Sequence, residues 1–415
     1  MDLTTPGTIL FDPKALGLDP DGDNIYHFTT INIVRGVTVK LSGRKINGPV
    51  FWLAQGDVTI SGTVDLDGED GMSVNVTPYI NPASRIPAYP GAGGYPGGVG
   101  AYDPNNLAQE GGGPGGGRTR TASWGGGGSY GSSAASSCSN SLAGNTYGNN
   151  FLVPSGGGSG GGGGERNTGN SRCQGGGGGG GGGAILIASS TSISFDTLGA
   201  STSYSIRALG AFPGTGNCGG GGGEWPGGWG SGGAVRIVAP TVKMKGGVAA
   251  IGVERTSSDY YNYNAFWNFT SCGHGLDNLG GAGRIRIEAL TFPNGLPSVF
   301  GPVTFGAPSN LFLPTQQPSL AAISVDGSPV AVSPNGNFNF PDTTINNASP
   351  VKVDIAAKFI PLGTIVKLYV YSENGPDQTI NSSPLTGTLA ASTATATVTL
   401  PPGFSRGFLR AVWTP

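Results

Sequence analysis

GGGGGGGGGAILIAS, residues 175–189, is the stretch on which the fold turns, and it recurs. GGAVRIVA at 232–239 and GGAGRIRIEA at 280–289 repeat the phrase of small residues leading into alternating β-branched ones, with a second polyglycine block at Gly219 to Gly223. Ala184 and Ala234 lie 50 residues apart, as do Ala239 and Ala289, which is the regularity of a repeat architecture. The region from Gly175 to Val253 is therefore read as successive turns of one β structure.

Composition sharpens this. Glycine supplies 79 of 415 residues and charged residues only 11%, against usual shares of about 7% and about 25%, so glycine has either a structural use or a disordered one. A net charge of −2 with 22 Lys plus Arg leaves no basic footprint for nucleic acid. No apolar run approaches the roughly 20 residues of a membrane-spanning helix. Cys138, Cys173, Cys218 and Cys272 sit in polar Gly- and Ser-rich stretches without a CxxC pair, which favours disulfides made in an oxidising compartment over zinc. Three pairings are open, and unpaired surface thiols are the alternative. Met1-Asp2-Leu3 begins no signal peptide, as expected of a mature form with an added methionine or of a trimmed chain.

Residues 1–24 read as an N-terminal extension. Asp19, Asp21 and Asp23 around Gly22 offer spaced oxygens of the kind that bind calcium, but no Glu closes the site and an Asx-rich turn explains them as well. Thr4 to Phe11 reads as an extended segment suited to self-association. From residue 25, short strands follow: Phe28–Val34, Val37–Leu41, Val50–Ala54 and Val58–Leu66, with period-2 alternation in Val37-Thr38-Val39-Lys40-Leu41. Val37 and Val58, 21 residues apart, begin similar strands, an interval that suits one coil of a parallel β-solenoid.

Residues 71–174 are a long insertion with glycine blocks at 111–117, 125–128 and 156–164. The expectation here is polyproline II, with three residues per turn and no internal hydrogen bonds, because bare glycine lets neighbouring chains approach until N–H meets carbonyl. Nine glycines reach about 28 Å in that form. A flexible coil is the competing reading, since glycine loses the most entropy on ordering. A bridge across the 35 residues from Cys138 to Cys173 would constrain the unfolded chain by about 3–4 kcal/mol.

Tyr260, Tyr261, Tyr263, Phe266 and Trp267 form the densest aromatic cluster, a surface suited to sugar rings or a protein partner, or else a cap on the core. From 301 to 415 the glycine bias ends. Alternating runs such as Val351–Ile355, Ile365–Tyr371 and Ala394–Leu400 predict an immunoglobulin- or fibronectin-like β-sandwich, making residues 25–300 the glycine-rich domain and 301–415 a second one.

Catalytic patterns are weak. His27 and His274 share no metal spacing, and GxSxG at 127–131 and 157–161 lacks the strand-to-helix context of a nucleophile elbow. Carboxylates such as Asp65 and Asp67 lining a face would suit a polysaccharide hydrolase or lyase, although adjacent Asp on a strand also reads as solvated surface, and no cofactor is implied.

Gly232-Gly233-Ala234-Val235-Arg236-Ile237-Val238-Ala239-Pro240-Thr241-Val242 resembles the glycine-rich β-helix regions of secreted bacterial surface proteins, over about residues 25 to 292. The glycine blocks also look like those of phage receptor-binding adhesins and glycine-rich antifreeze proteins, whose cores are stacked polyproline II helices, although the Thr-x-Thr ice-binding ladder is absent. The resemblance implies an all-β, extracellular, non-enzymatic protein, a filament subunit or a surface adhesin, with self-association and a glycan or protein receptor as its partners. A carbohydrate-binding or polysaccharide-degrading β-helix protein is the alternative.

Overall fold

The computed structural model describes residues 1–19, 22–74, 85–102, 106–119, 124–134, 143–153, 155–165, 173–196, 204–218, 225–252, 279–296, 299–314, 316–331, 334 and 341–413. They are almost all β or extended. Two compact units result: 1–76, 87–103 and 107–313 form the first, while 77–86, 104–106 and 314–415 form the second. The division after Leu313 falls later than the expected break at 300/301.

In the first unit the chain visits three parallel sheets in turn. β1 (Asp2–Leu3), β2 (Gly7–Leu10) and β3 (Ile25–Phe28) start them, with the short helix α1 (Pro13–Leu16) between β2 and β3. β4 (Ile31–Ile33), β5 (Val37–Lys40) and β6 (Val50–Ala54) make the second pass. β7 (Val58–Ile60) and β8 (Thr63–Asp65) are followed by a long excursion containing β9 (Cys173–Gln174), and then by β10 (Ala184–Ser189). β11 (Ser192–Phe195), β12 (Tyr204–Arg207), the two-residue β13 (Asn217–Cys218) and β14 (Ala234–Val238) come next. β15 (Thr241–Met244), β16 (Gly247–Ala249) and β17 (Arg284–Glu288) precede the closing β18 (Val299–Phe300) and β19 (Val303–Gly306). The sheets run β1-β4-β7-β11-β15, β2-β5-β8-β12-β16-β18 and β3-β6-β10-β14-β17-β19.

The fifty-residue repeat is a strand register, since Ala184 pairs with Ala234 and Ala234 with Arg284. The 21-residue interval is not. Val37 and Val58 belong to different sheets, and true partners in the early passes, Ile31 with Val58, Thr38 with Thr63 and Ile25 with Phe51, lie 25 to 27 residues apart. Alternate residues of all three sheets meet in one core: Ile31, Val58, Ile193 and Val242; Val39, Val64, Ile206 and Val248; Val50, Ile185, Val235 and Ile285. The N-terminal residues are part of this frame rather than a free extension. β1 pairs with β4 and β2 with β5, and buried Phe11 packs its ring 5.3 Å from Tyr26 and 5.8 Å from Trp52.

Every large glycine excursion leaves between a strand of the second sheet and one of the third: after β8, after β12 and after β16. Their backbones bond with a period of three. Gly175, Gly178, Gly181 and Ala184 donate to the carbonyls of Ala101, Gly98, Tyr95 and Ala92. Gly176, Gly179 and Gly182 donate to Trp225, Gly228 and Ser231, while Gly177, Gly180 and Gly183 donate to Met72, Glu69 and Leu66. All ten bonds are 2.7–3.0 Å long. Segment 175–183 also accepts bonds, with Gly158, Gly161 and Gly164 donating to Gly182, Gly179 and Gly176. No glycine from 175 to 183 has positive φ, so the need for glycine here is closeness and not left-handed backbone. A Cβ on Gly178 would lie 2.0 Å from the Gly161 oxygen.

The second unit consists of antiparallel sheets. Its strands are β20 (Ser319–Val325), β21 (Ser328–Pro329), β22 (Val351–Lys358), β23 (Ile365–Ser372), β24 (Gln378–Pro384), β25 (Thr386–Thr388), β26 (Ala391–Val398) and β27 (Ser405–Ala411). One sheet is β21-β20-β22-β26-β25 and the other β24-β23-β27, and both contribute to a core that includes Val353, Ile355, Val366, Leu368, Ala394 and Ala396. Arg85, Asn106 and Asp377 are joined in this unit: Arg85 donates to the Asp377 carboxylate at 2.5 Å, and Asn106 Oδ1 accepts from the Asp377 N–H at 2.6 Å.

Gly178→Ala should lower stability by on the order of 3 kcal/mol, because the new methyl must displace backbone. Gly156→Ala should change it by less than about 0.5 kcal/mol, since an added Cβ there meets nothing within 4 Å. Thermal melts of the two variants check the contrast.

Candidate functional site

Two ladders of charged side chains lie on the outer faces of the sheets in the first unit. On the second sheet Lys40, Asp65 and Arg207 are successive register partners, so stacking alone alternates their charges. Lys40 Nζ donates to Asp65 Oδ1 and to the Asp67 carbonyl, both at 3.0 Å. Arg207 pairs with the Asp67 carboxylate, whose Oδ1 also accepts from the Leu209 N–H at 2.8 Å. Burial first, and the neighbouring Asp65 carboxylate second, push the Asp67 carboxyl up to about 6 against the pull of Arg207. The row continues outward to Arg44, which holds Glu69 through two bonds and lies 4.2 Å over the Tyr89 ring.

Such a carboxylate pair could do acid–base work on a glycoside if its oxygens were open to a substrate. Both Asp67 oxygens and Asp65 Oδ1 are instead engaged by cations and backbone N–H groups. Asp67 itself is 7% exposed. The arrangement fastens the start of the first glycine excursion to the sheet, and it presents no open carboxylate pair.

The second ladder, on the third sheet, was not singled out from the sequence. Glu288 is fully buried between Arg236 and Arg286, with Oε1 accepting at 3.0 and 2.6 Å and Oε2 accepting from the Ser309 N–H and hydroxyl at 2.8 and 2.6 Å. Arg236 also donates to Ser309 Oγ at 3.0 Å. Burial works to raise the Glu288 carboxyl, but the bonds from Ser309, Arg236 and Arg286 win and hold it below the usual carboxylate range. Two residues on, Leu311 and Leu313 cover an apolar strip of the same face made by Phe51, Leu186, Ala188 and Val238. The alternation in Arg284-Ile285-Arg286-Ile287-Glu288 was the available signal, since a strand with apolar residues on one side must put its charges on the other.

The other expected residues divide as follows. Tyr260, Tyr261, Tyr263, Phe266 and Trp267, with Cys138, Cys272, His274 and Asp21, lie outside the described residues. Asp19 Oδ1 and Oδ2 accept from the Asp23 and Asn24 N–H groups at 3.0 and 3.3 Å, and Asp23 Oδ1 accepts from Ile25, so these carboxylates close a turn. Among the described residues no group of three or more His, Cys, Asp or Glu could hold a metal ion. The serines of the two GxSxG matches, Ser129 and Ser159, are fully buried, and their oxygens accept backbone N–H groups of Ala134 and Gly115 at 2.8 and 3.1 Å. The backbones of Cys173 and Cys218 are partners in the antiparallel pair of β9 and β13.

No known protein family, no curated protein and no solved structure matches the chain.

Replacing Glu288 by Gln leaves two buried guanidinium groups without their counter-charge and should cost about 3–5 kcal/mol at neutral pH. Because the folded carboxyl is held below its unfolded range, its contribution is present above the ordinary Glu value near 4.3 and is lost as pH falls through the lower folded value. Melting curves of wild type and Glu288→Gln should therefore draw together as pH falls from neutrality to below the ordinary carboxylate range.

Proposed function

We propose that this chain is a non-enzymatic, extracellular structural and adhesive protein of bacterial surface type, able to self-associate as a filament subunit. In this reading the three parallel sheets are the faces of a β-solenoid. Its glycine excursions are packed polyproline II helices, and the second unit is an immunoglobulin- or fibronectin-like sandwich.

The observation that carries the reading is the three-residue period of amide partners along 175–183, where each neighbouring segment receives every third N–H. That is the periodicity of polyproline II, which has three residues per turn and no hydrogen bonds of its own. A lattice of this kind places no side chains where chemistry could be done, and its use is stiffness. The bound state of Asp65 and Asp67 likewise favours architecture over polysaccharide cleavage. Strand edges supply the route to self-association, because among the described residues β1, β2 and β3 each terminate their sheet at one end, and edges of this kind recruit further strands.

Sedimentation velocity and negative-stain microscopy across a concentration series should reveal linear polymers. A monomer that persists throughout would sink the filament reading and leave the adhesin.

An oxidising habitat is supported by the β9–β13 register. Partnered Cα atoms in antiparallel strands are about 4.5–5.5 Å apart, within the range of about 4.4–6.8 Å that a disulfide spans. A non-reducing peptide map should recover Cys173 linked to Cys218, leaving Cys138 for Cys272. Recovery of all four as thiols from the native host would place the protein in a reducing compartment.

A further inference from the structure

Among the described residues, the core of the second unit is sealed on one side and open on the other. Inward-facing Val366, Leu368 and Val370 of β23 are fully buried, as are Ile360 and Leu385 of the same core. Their register partners on β27, Ala411, Leu409 and Gly407, face the same way, yet Leu409 and Ala411 are only half-buried and Gly407 is exposed. Leu320, Ala322 and Val325 of β20, the strand that approaches β27 from the other sheet, are half-buried too, although they pack on the same core. Three strands face five, and among the described residues nothing pairs with the far side of β27. Just beyond it Val412 and Trp413 stand exposed, at 69% and 37%.

We infer that the free edge of β27 is an acceptor for an extended segment of another polypeptide, added as a further strand of the β24-β23-β27 sheet. The incoming strand would be amphipathic. Its inward residues must be apolar, to fill the seam between Leu320 and Ala322 on one side and Leu409 and Ala411 on the other. Its outward residues must be acidic, because the outer face of β27 carries Arg410 opposite Lys367, two like charges held as register partners. Like charges directly opposite on neighbouring strands destabilise a sheet, and carboxylates on a third strand would relieve them. Backbone bonds would supply affinity and alternate side chains selectivity, as in strand addition generally. This rests on the structural and adhesive reading above, for which it names the kind of partner.

Hydrogen exchange of the full-length protein tests it, using as probe a capped peptide of alternating valine and glutamate matched in length to β27. In the free monomer, alternate amides of 405–411 should exchange fast while those of β22 are slow, and saturating peptide should slow the fast set at least about tenfold. A valine–lysine peptide should have no effect. Leu409→Glu should abolish the response, with unchanged β22 exchange reporting an intact fold; Arg410→Glu, which leaves the inner face untouched, should reverse the preference between the two peptides.

Amides of β27 as slow as those of β22 in the free monomer would show the edge already covered by the chain itself and overturn the proposal. So would indifference to the valine–glutamate peptide, or an equal response to both. Each result is read on a monomer, so failure to form polymers and failure of the edge to accept a strand are separate outcomes.

Discussion

An amide hydrogen withdrawn from water needs an acceptor, and in this protein that requirement is met over long stretches by backbone alone. The lattice around residues 175–183 is not self-sufficient. Fixing one residue's backbone costs about 1–2 kcal/mol while an internal hydrogen bond returns a net of about 1, so a run of glycines gains nothing decisive by ordering. What tips the balance is the hydrophobic core of the stacked sheets. Residues 175–183 run without interruption into β10, 225–233 into β14 and 279–283 into β17, and each of those strands buries its inner face completely. The sheets hold the glycine segments at the spacing where their amides and carbonyls already meet, which removes most of the entropy that a free polyglycine would have to lose.

The same division of labour explains the scarcity of charge. Lys40, Asp65, Asp67 and Arg207 secure the departure of the first excursion, and Arg236, Arg286, Glu288 and Ser309 secure the segment that ends in Leu311 and Leu313. These ion pairs act as joints. Lys40, Asp65, Arg207 and Glu288 each end a strand, so their ion pairs hold the chain where it leaves a sheet.

Much of the frame is legible in the residues. The 50-residue spacing of Ala184 and Ala234 emerges as their pairing, because a parallel register repeats only if each turn holds the same number of residues. The alternation of Val351–Ile355 and Ile365–Tyr371 likewise appears as antiparallel strands. Other features could not be read. Val37 and Val58 look alike because both begin half-buried strands, but periodicity does not say which sheet a strand joins. Gly7–Leu10 has the composition of a loose arm, and only its partner β5 makes it a strand. The alternation around Glu288 puts Arg286 beside it but gives no sign that Arg236 and Ser309, from separate parts of the chain, will converge on the same carboxylate. Sites made by long-range register are silent in sequence for that reason.

Distance along the chain has a consequence for how the molecule is made. Gly183 bonds to Leu66, 117 residues earlier, and Gly182 bonds to Ser231, still to come. At synthesis rates of about 5–20 residues per second, the first passes of the sheets wait on the order of ten seconds for the segment that completes them, and contacts of such separation close slowly in any case. A nascent chain that exposed leucine or valine for that interval would invite aggregation. Glycine offers water only its peptide groups, so the slowest-assembling part of the protein is also the part least harmed by waiting.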